Sequence, residues 1–357
     1  MGLVLSSYGP LLEHLTRRFG VSLPVAGATI SVHFAASLAG VFVAMQTMTR
    51  LRARTTVIPA IGLVALGCVG AAFAPSWLAF MSAIVLIGFA FGALVLGLNQ
   101  LVAYSQGTRR AALLSVLNSA YSAGEVVGPL LVASFAAAHF SLLFLGAAVI
   151  AVLLVPFASG IAGRLPVGSG APGRPGRLVL VFVVAIVLYV GIENGIGGWM
   201  PSHLEAVGLR SAPAAGVTSG FWLALVVGRL AMFAMPARVS EAAIVITGSA
   251  VATVALILAS IPALAPVAYI VAGFFIAPIF PTTIVWLARL RPGDSRATSW
   301  LYPAASVGGT LGPGVIGLVI AGFGVRWAPA VLAIVAISMS AAYFFAYRIT
   351  SRPGAGN

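Results

Sequence analysis

Long apolar runs repeat along the whole chain, and short polar segments separate each run from the next. A bilayer core is crossed by an α-helix of about 20 predominantly apolar residues, which matches the length of most of these runs. The pattern therefore predicts an all-α membrane protein of about twelve helices with almost no water-soluble mass. The predicted helices cover 2–15, 24–48, 55–73, 77–105, 110–137, 139–160, 178–205, 213–236, 241–262, 265–290, 296–322 and 326–348.

Composition supports this interpretation and excludes several function classes. Of the 357 residues, 61% are hydrophobic and 7% are charged, whereas soluble domains carry about 25% charged residues. No polar segment is long enough for a catalytic domain, so we do not expect an enzyme. The sequence has no P-loop that would bind ATP. Its four histidines lack metal-ligand spacing, so we predict neither a cofactor nor a metal.

The net charge of +13 arises from 19 arginines, without lysine, against six acids. These arginines are strung singly between apolar segments, so we do not expect nucleic-acid binding. Cytoplasmic loops are enriched in arginine. If the loop after helix 2 is cytoplasmic, fourteen arginines lie inside and four outside, with Arg229 left within helix 8. We therefore expect a multi-pass protein of a bacterial inner (plasma) membrane, with both termini of the complete form in the cytoplasm. The four outer arginines are Arg17, Arg18, Arg210 and Arg326.

The two halves of the chain repeat each other. His14-Leu15 and His203-Leu204 are 189 positions apart, and helices 2 and 8 match through Gly40 and Gly228. The pairs Gly128-Pro129 and Gly312-Pro313 occupy matching places in helices 5 and 11. Six helices per half make this a parallel duplication. The predicted parts are an N-terminal bundle (1–159), a cytoplasmic linker rich in Gly, Pro and Arg (160–177), a C-terminal bundle (178–350) and a cytoplasmic tail (351–357).

The repeat also predicts that helix 1 is truncated. Helix 7 begins near position 178, and the same offset would place the start of helix 1 before Met1. The dozen residues before Glu13 are too short to cross about 30 Å at 1.5 Å per residue. We therefore expect eleven complete spans and one fragment, with the natural chain beginning upstream or existing in a truncated form.

Several segments resemble the fucose permease-like sugar transporters, a branch of the major facilitator superfamily. They include GFAFGALVLGLNQLVAYSQGTRRAALLSVLNSAYSAGEVVGPLL at 88–131, YVGIENGIGGWMPSHL at 189–204, FWLALVVGRL at 221–230 and GFFIAPIFPTTIVWLARLRPGD at 273–294. The resemblance implies two six-helix bundles around a central cavity, alternating access, and proton-coupled uptake of a small solute. Two features depart from it: the loop MQTMTRLRART (45–55) lacks an acid, and helix 4 has no carboxylate.

Two acids within the predicted helices are the first candidates for substrate binding or coupling, since ionisable residues at membrane depth are costly and usually functional. Glu193 lies near the centre of helix 7, where surrounding glycines predict an irregular backbone lining a cavity. Glu125 lies in the middle of helix 5. Either carboxylate could load and release a proton, or instead serve as a structural partner for a neighbouring side chain.

Three further positions are candidates for coupling or gating. His33 in helix 2 could change its charge near neutral pH, or simply form a hydrogen bond within the packing. Arg229 follows Gly228 near the inner end of helix 8, where it could brace the cytoplasmic gate, snorkel or bind an anionic substrate. Pro281, with Pro278, predicts a kink in helix 10 that could act in gating.

Polar and aromatic side chains suited to a solute site form a larger set. Sites of this kind are mostly apolar with a few placed polar groups, and aromatic residues also collect at membrane interfaces. Trp199, near the outer end of helix 7, is additionally a candidate for an outer gate. The members of this set are Asn99, Asn118, Asn194, Tyr189, Trp199 and Trp222, with Gln100, Thr282, Thr283, Trp286, Trp300 and Tyr302 as further members.

The sequence leaves the particular function open. Proton-coupled uptake of a sugar-like solute by a monomer is the leading prediction. Efflux of hydrophobic compounds is an alternative, because buried charges are sparse. A membrane protein that keeps the fold without transport is another, and a membrane enzyme is the weakest for want of a catalytic constellation.

Overall fold

The structure, a computed structural model, describes residues 1–103, 110–136, 139–161, 176–232, 235–236, 238–291, 297–298 and 300–351. Within these ranges the secondary structure is helical and no β-strand is present. The apolar runs set the helices, because a backbone in hydrocarbon must satisfy its polar groups internally. The helices are α1 (Gly2–Phe19), α2 (Leu23–Arg50), α3 (Arg54–Ala72), α4 (Trp77–Ala103), α5 (Arg110–Leu131), α6 (Phe140–Ser159), α7 (Arg177–Ala206), α8 (Ser211–Ala231), α9 (Glu241–Leu258), α10 (Ala265–Leu290), α11 (Leu301–Phe323) and α12 (Ala328–Thr350).

Two short departures from α-helical geometry accompany these elements. A π-helical segment, Val132–Ala136, continues α5, and a 3₁₀ turn, Val325–Trp327, precedes α12. The helix α10 consists of two segments, Ala265–Ile276 and Ile279–Leu290, separated at positions 277–278. The prolines predicted to kink this helix thus coincide with an interruption of its α-helical hydrogen bonding, while Ala277 and Pro278 keep right-handed helical backbone angles.

Of the eleven complete spans predicted, ten can be counted among the described residues, and the eleventh stays a prediction. Ten helices of the described residues are long and apolar enough to cross a membrane. The helices outside this set are α1 and α5, and of α5 the structure describes the side chains of 117–131 only. These residues include Asn118 and Glu125, and α5 is less apolar on average than α4 and α6. The helices α1 and α5 pack on each other, so the least apolar helices of the N-terminal half bury much of their polar surface together.

The chain divides into two compact units, Met1–Gly170 and Ala171–Asn357. Inside the first unit, α1 packs on α5, α2 on α4, and α3 on both α4 and α6. The second unit repeats these pairs as α7 on α11, α8 on α10, and α9 on both α10 and α12. The predicted parallel duplication is confirmed. Most residues of the linker predicted at 160–177 lie outside the described residues, so its role stays a prediction.

Matching glycines hold matching helix pairs together in both units. A Cβ atom built on Gly40 would collide with the carbonyl of Phe89 in α4, and one on Gly228 with the carbonyl of Phe274 in α10. Small residues at such positions allow the close backbone approach on which membrane helix packing depends. The same holds for Gly128 against α1 and Gly312 against α7. The sequence repeat therefore reflects equivalent packing.

The predicted irregularity of α7 around Glu193 is wrong. This helix runs without a break from Arg177 to Ala206. Its glycines instead make room for neighbours, because a Cβ on Gly197 would lie 2.6 Å from the ring of Trp222 and one on Gly195 would lie 2.5 Å from Ile316. Within a bilayer an unbroken helix is the simplest way to satisfy the backbone, so glycines there serve packing.

Apolar side chains on the outer surface of the helices mark the face toward lipid. Leu78, Phe157 and Leu318 are each at least three-quarters exposed. A soluble protein rarely leaves many large apolar residues uncovered together. The chain is therefore a multi-pass integral membrane protein.

Candidate functional site

An ion pair between two membrane-spanning helices is the main polar feature of the second unit. A guanidinium nitrogen of Arg229 in α8 lies 3.0 Å from the Oε1 atom of Glu193 in α7. The Glu193 side chain is 13% exposed and that of Arg229 is 36% exposed. The structure thus brings together two residues that the sequence had singled out for different roles.

Tyr189 and Trp222 surround this pair. Tyr189 lies one helical turn before Glu193, and its buried hydroxyl interacts with both charged groups. Trp222 lies two turns before Arg229 and packs against Gly197, with its indole N–H unpaired and buried. A buried donor without a partner is costly. The Trp222 N–H could therefore donate to an acceptor atom of a ligand beside the ion pair.

The chemistry available to the pair follows from its surroundings. Two opposite charges out of water stabilise each other, and removal of either partner leaves the other uncompensated. A proton taken up by Glu193 would neutralise its carboxylate and weaken its attraction for Arg229.

Two other candidates in α7 donate hydrogen bonds to backbone carbonyls within the second unit. The amide nitrogen of Asn194 donates to the carbonyl of Val190, 3.1 Å away in the same helix. The indole nitrogen of Trp199 donates to the Pro313 carbonyl in α11 at 2.9 Å, and the side chain is fully buried. Trp199 thus joins α7 to α11, and its role in an outer gate stays a prediction.

Replacing Trp199 by Phe should therefore destabilise the second unit. The variant removes the indole hydrogen bond to the Pro313 carbonyl and part of a buried ring, so we expect a loss of about 1–3 kcal/mol. Thermal unfolding in detergent would show this as a lower Tm. The matched control is Trp327→Phe, since Trp327 is 55% exposed. Equal Tm values for the two variants would contradict this account of Trp199.

In the first unit, the structure joins two asparagines across α4 and α5. Asn99 donates to the Val95 carbonyl at 2.8 Å, and its own Oδ1 lies 3.5 Å from the amide nitrogen of Asn118. Asn118 is exposed, whereas Asn99 is half-buried. The side chain of Gln100 lies outside the described residues. This amide pair presents both donors and acceptors to a polar solute.

His33 forms a buried pair with a residue that the sequence analysis did not single out. The Tyr8 hydroxyl in α1 lies 3.2 Å from the Nδ1 atom of His33, while the Nε2 atom has no hydrogen-bond partner. Tyr8 gave no signal in the sequence beyond an aromatic hydroxyl within an apolar run. Glu125 is buried as well, and it packs where Gly2 of α1 approaches α5.

Two of the predicted gating residues, Gly228 and Pro281, lie at the interruption of α10. The carbonyl of Phe274 would normally accept from the N–H of residue 278, which is proline and has none. That carbonyl points at Gly228 in α8, where a side chain would not fit. Pro281 lies in the first turn of the second segment of α10, where its missing N–H has no partner to lose. The interruption is therefore built by Pro278 and accommodated by Gly228.

The remaining polar and aromatic candidates have separate environments. Thr283 contacts the Tyr343 hydroxyl at 3.0 Å, and Trp286 packs edge-on against Phe182 at 4.9 Å between ring centroids. Tyr302 is 41% exposed. Its ring packs on Phe280, which also packs on Tyr189 beside the ion pair. Among the described residues, no group of three or more His, Cys, Asp or Glu side chains could hold a metal ion.

A duplicated set of membrane helices with a polar pair inside one unit is typical of multi-pass membrane transport proteins. The family model described as Major Facilitator Superfamily matches residues 1–240, and the chain belongs to that superfamily. No curated protein matches the chain.

Solved structures share the fold over nearly the whole chain. A bacterial homolog of the human lysosomal transporter Spinster, inward-facing and occupied, is 15% identical with a TM-score of 0.78, covering 97% of this chain and 94% of that one. A point mutant of the nucleoside transporter NupG is 15% identical with a TM-score of 0.76, covering 97% and 96%. A D-xylose-proton symporter is 14% identical with a TM-score of 0.74, covering 96% and 95%. At these identities the similarity shows the fold alone.

Proposed function

We propose that this protein is a secondary active transporter that moves a small solute by alternating access, and that it couples uptake of a sugar-like molecule to protons. The observation that carries the proposal is the Glu193–Arg229 ion pair within membrane-spanning helices. Intramembrane ionisable residues are costly to keep and mark substrate or proton pathways. The fold shared with a D-xylose-proton symporter is consistent with it.

In this proposal Glu193 carries the coupling proton and Arg229 holds the carboxylate when the proton is absent. Tyr189 and Trp222 supply donors beside the pair, and the Asn99–Asn118 amides supply a second polar position in the first unit. Asn194, His33 and Glu125 are supporting candidates for binding or coupling. We further propose a monomer in a bacterial inner membrane, with both termini cytoplasmic and the helices embedded in lipid.

Transport by proteoliposomes tests the proposal. Protein reconstituted with an inward proton gradient should accumulate labelled D-xylose or a related sugar, and a protonophore should abolish accumulation while leaving counterflow intact. Empty liposomes are the control. If no sugar of a panel is accumulated or exchanged and an expressing host becomes resistant to hydrophobic drugs, the proposed function is wrong and efflux takes its place. Absence of both activities would favour a transporter-like protein without transport.

A further inference from the structure

The charge of the Glu193–Arg229 pair restricts the kind of solute that can be coupled to a proton at this site. The pair as a whole is neutral, because one carboxylate lies 3.0 Å from one guanidinium. The groups that act on Glu193 are Arg229 of α8 and Tyr189 of α7, and among the described residues no second acid acts on it. A proton on Glu193 would therefore give the pair one net positive charge.

This charge distinguishes three classes of solute. A neutral sugar would leave the net positive charge in place, and an unbalanced charge at membrane depth is costly. A phosphate group carries about 1.5 to 2 negative charges at neutral pH, which is more than the protonated pair would balance. A solute with a single carboxylate brings the charge back to zero, and a guanidinium binds a carboxylate through strong, often paired hydrogen bonds.

The surroundings of the pair supply hydrogen-bond donors for such a solute. Trp222 is 4% exposed, and its indole N–H is buried without a hydrogen-bond partner. An oxygen atom of a solute would remove the cost of this unsatisfied donor. The Arg229 side chain is 36% exposed, so it is partly accessible beside the pair. The Tyr189 hydroxyl, which interacts with both charged groups, is a further donor.

The spacing of these groups fits a solute with one sugar ring. The Trp222 ring occupies the space that a side chain at Gly197 would need. Gly197 lies four residues after Glu193, which is about 6 Å along the helix at 1.5 Å per residue. This offset matches a pyranose that places a carboxylate at the ion pair and a hydroxyl at Trp222. Phe280, whose ring packs on that of Tyr189 at 6.1 Å, adds an apolar surface of the kind that such sites contain.

We propose that the solute is a sugar acid with one carboxylate, which replaces Glu193 as the partner of Arg229 when Glu193 takes up the proton. Trp222 and Tyr189 then donate to oxygen atoms of the sugar. This inference rests on the proposed function, because it names the solute class of the same site. Proton and anion bind together, so the charge of the site is the same with and without solute.

D-glucuronate and D-glucose test the inference, because they share a pyranose ring and differ by a carboxylate. Isothermal titration calorimetry on the purified protein measures both affinities. At about pH 6, where the carboxylate of the solute stays ionised, the wild type should bind D-glucuronate about tenfold more tightly, as for one charge-assisted hydrogen bond. Arg229→Gln should remove this preference. Arg289→Gln is the matched control, since it breaks the ion pair with Glu241 instead, and it should keep the preference.

Two further variants separate the roles of Glu193 and Trp222. Because D-glucuronate binds together with a proton, its affinity for the wild type should fall as pH rises, by up to about tenfold per pH unit. Glu193→Gln resembles the protonated carboxylate, so it should bind D-glucuronate with an affinity that no longer depends on pH. Trp222→Phe should weaken both solutes by a similar factor without lowering Tm, because it removes a donor that has no partner in the structure.

Each outcome decides the inference. Absence of D-glucuronate binding, equal or tighter binding of D-glucose, or a preference that Arg229→Gln retains would overturn it. If D-glucose also accumulates in proteoliposomes, the proposed sugar uptake stands without the inference. If D-glucuronate binds as expected but neither solute accumulates, the binding site stands and the proposed transport is wrong. Should Arg229→Gln unfold, Glu193→Gln/Arg229→Gln replaces it and should also lack the preference. The loss is one of affinity, so counterflow at saturating solute should persist.

Discussion

Replacing Glu193 by Gln should abolish proton-driven accumulation of solute while lowering stability only moderately. The amide cannot take up and release a proton, so the coupling step is lost. It also leaves the Arg229 guanidinium without its charge partner. Breaking a fully buried pair costs about 3–5 kcal/mol, and Arg229 is 36% exposed, so we expect a smaller loss of about 1–3 kcal/mol. Gradient-driven uptake and Tm, measured on the same preparation, give the two values.

A second variant separates the coupling role from a structural one. In the double variant Glu193→Gln/Arg229→Gln no unpaired charge remains, so Tm should recover toward the wild-type value because the two changes act on one interaction. Solute counterflow should persist, whereas accumulation against a gradient should stay absent. Recovery of accumulation in the double variant would show that the pair is only structural.

Glu241→Gln is the matched control for these variants. Glu241 also pairs with an arginine, since its Oε2 atom lies 2.6 Å from Arg289. This pair joins the start of α9 to the end of α10, outside the middle of the helices. Proton-driven uptake should be close to that of the wild type. If Glu241→Gln loses as much uptake as Glu193→Gln, the loss is not specific to Glu193, and the coupling role proposed for Glu193 is contradicted.

The repeat could be predicted from the sequence because it requires the same residue type at matching positions of the two halves. Gly40 and Gly228 could be matched by spacing alone, and the structure shows why both must be glycine: each faces a backbone carbonyl of the partner helix. A close backbone approach tolerates no side chain, so such positions remain recognisable at low similarity. Side chains that merely fill space can be exchanged and leave no comparable mark.

The contact between Glu193 and Arg229 could not be predicted in the same way. The two residues are 36 positions apart in neighbouring helices, and a charge pair requires a particular rotation of each helix about its axis. Hydropathy carries little information on that rotation in a membrane, where both faces of a helix are apolar. The contact between His33 and Tyr8 could not be predicted from the sequence for the same reason. The continuity of α7 was misjudged because glycine weakens helices in water, whereas in lipid the backbone has no alternative partner.

Replacing Gly228 by Ala should destabilise the second unit and impair transport, because the new Cβ would meet the carbonyl of Phe274. That carbonyl lacks its helical donor at Pro278, so it cannot simply turn back into the α10 helix. Overpacking of this kind costs about 1–3 kcal/mol. Thermal unfolding in detergent and solute counterflow measure the two effects.

Gly216→Ala in the same helix provides the control. A Cβ at Gly216 meets nothing within 4 Å, and alanine favours a helix over glycine by about 1 kcal/mol, so Tm should rise or stay constant. Gly40→Ala should resemble Gly228→Ala in stability, since it meets the carbonyl of Phe89. If the interruption of α10 acts in gating, Gly228→Ala should reduce the rate of counterflow more than Gly40→Ala at equal loss of Tm. Equal rates would assign Gly228 to packing alone, because α4 has no interruption at the matching position.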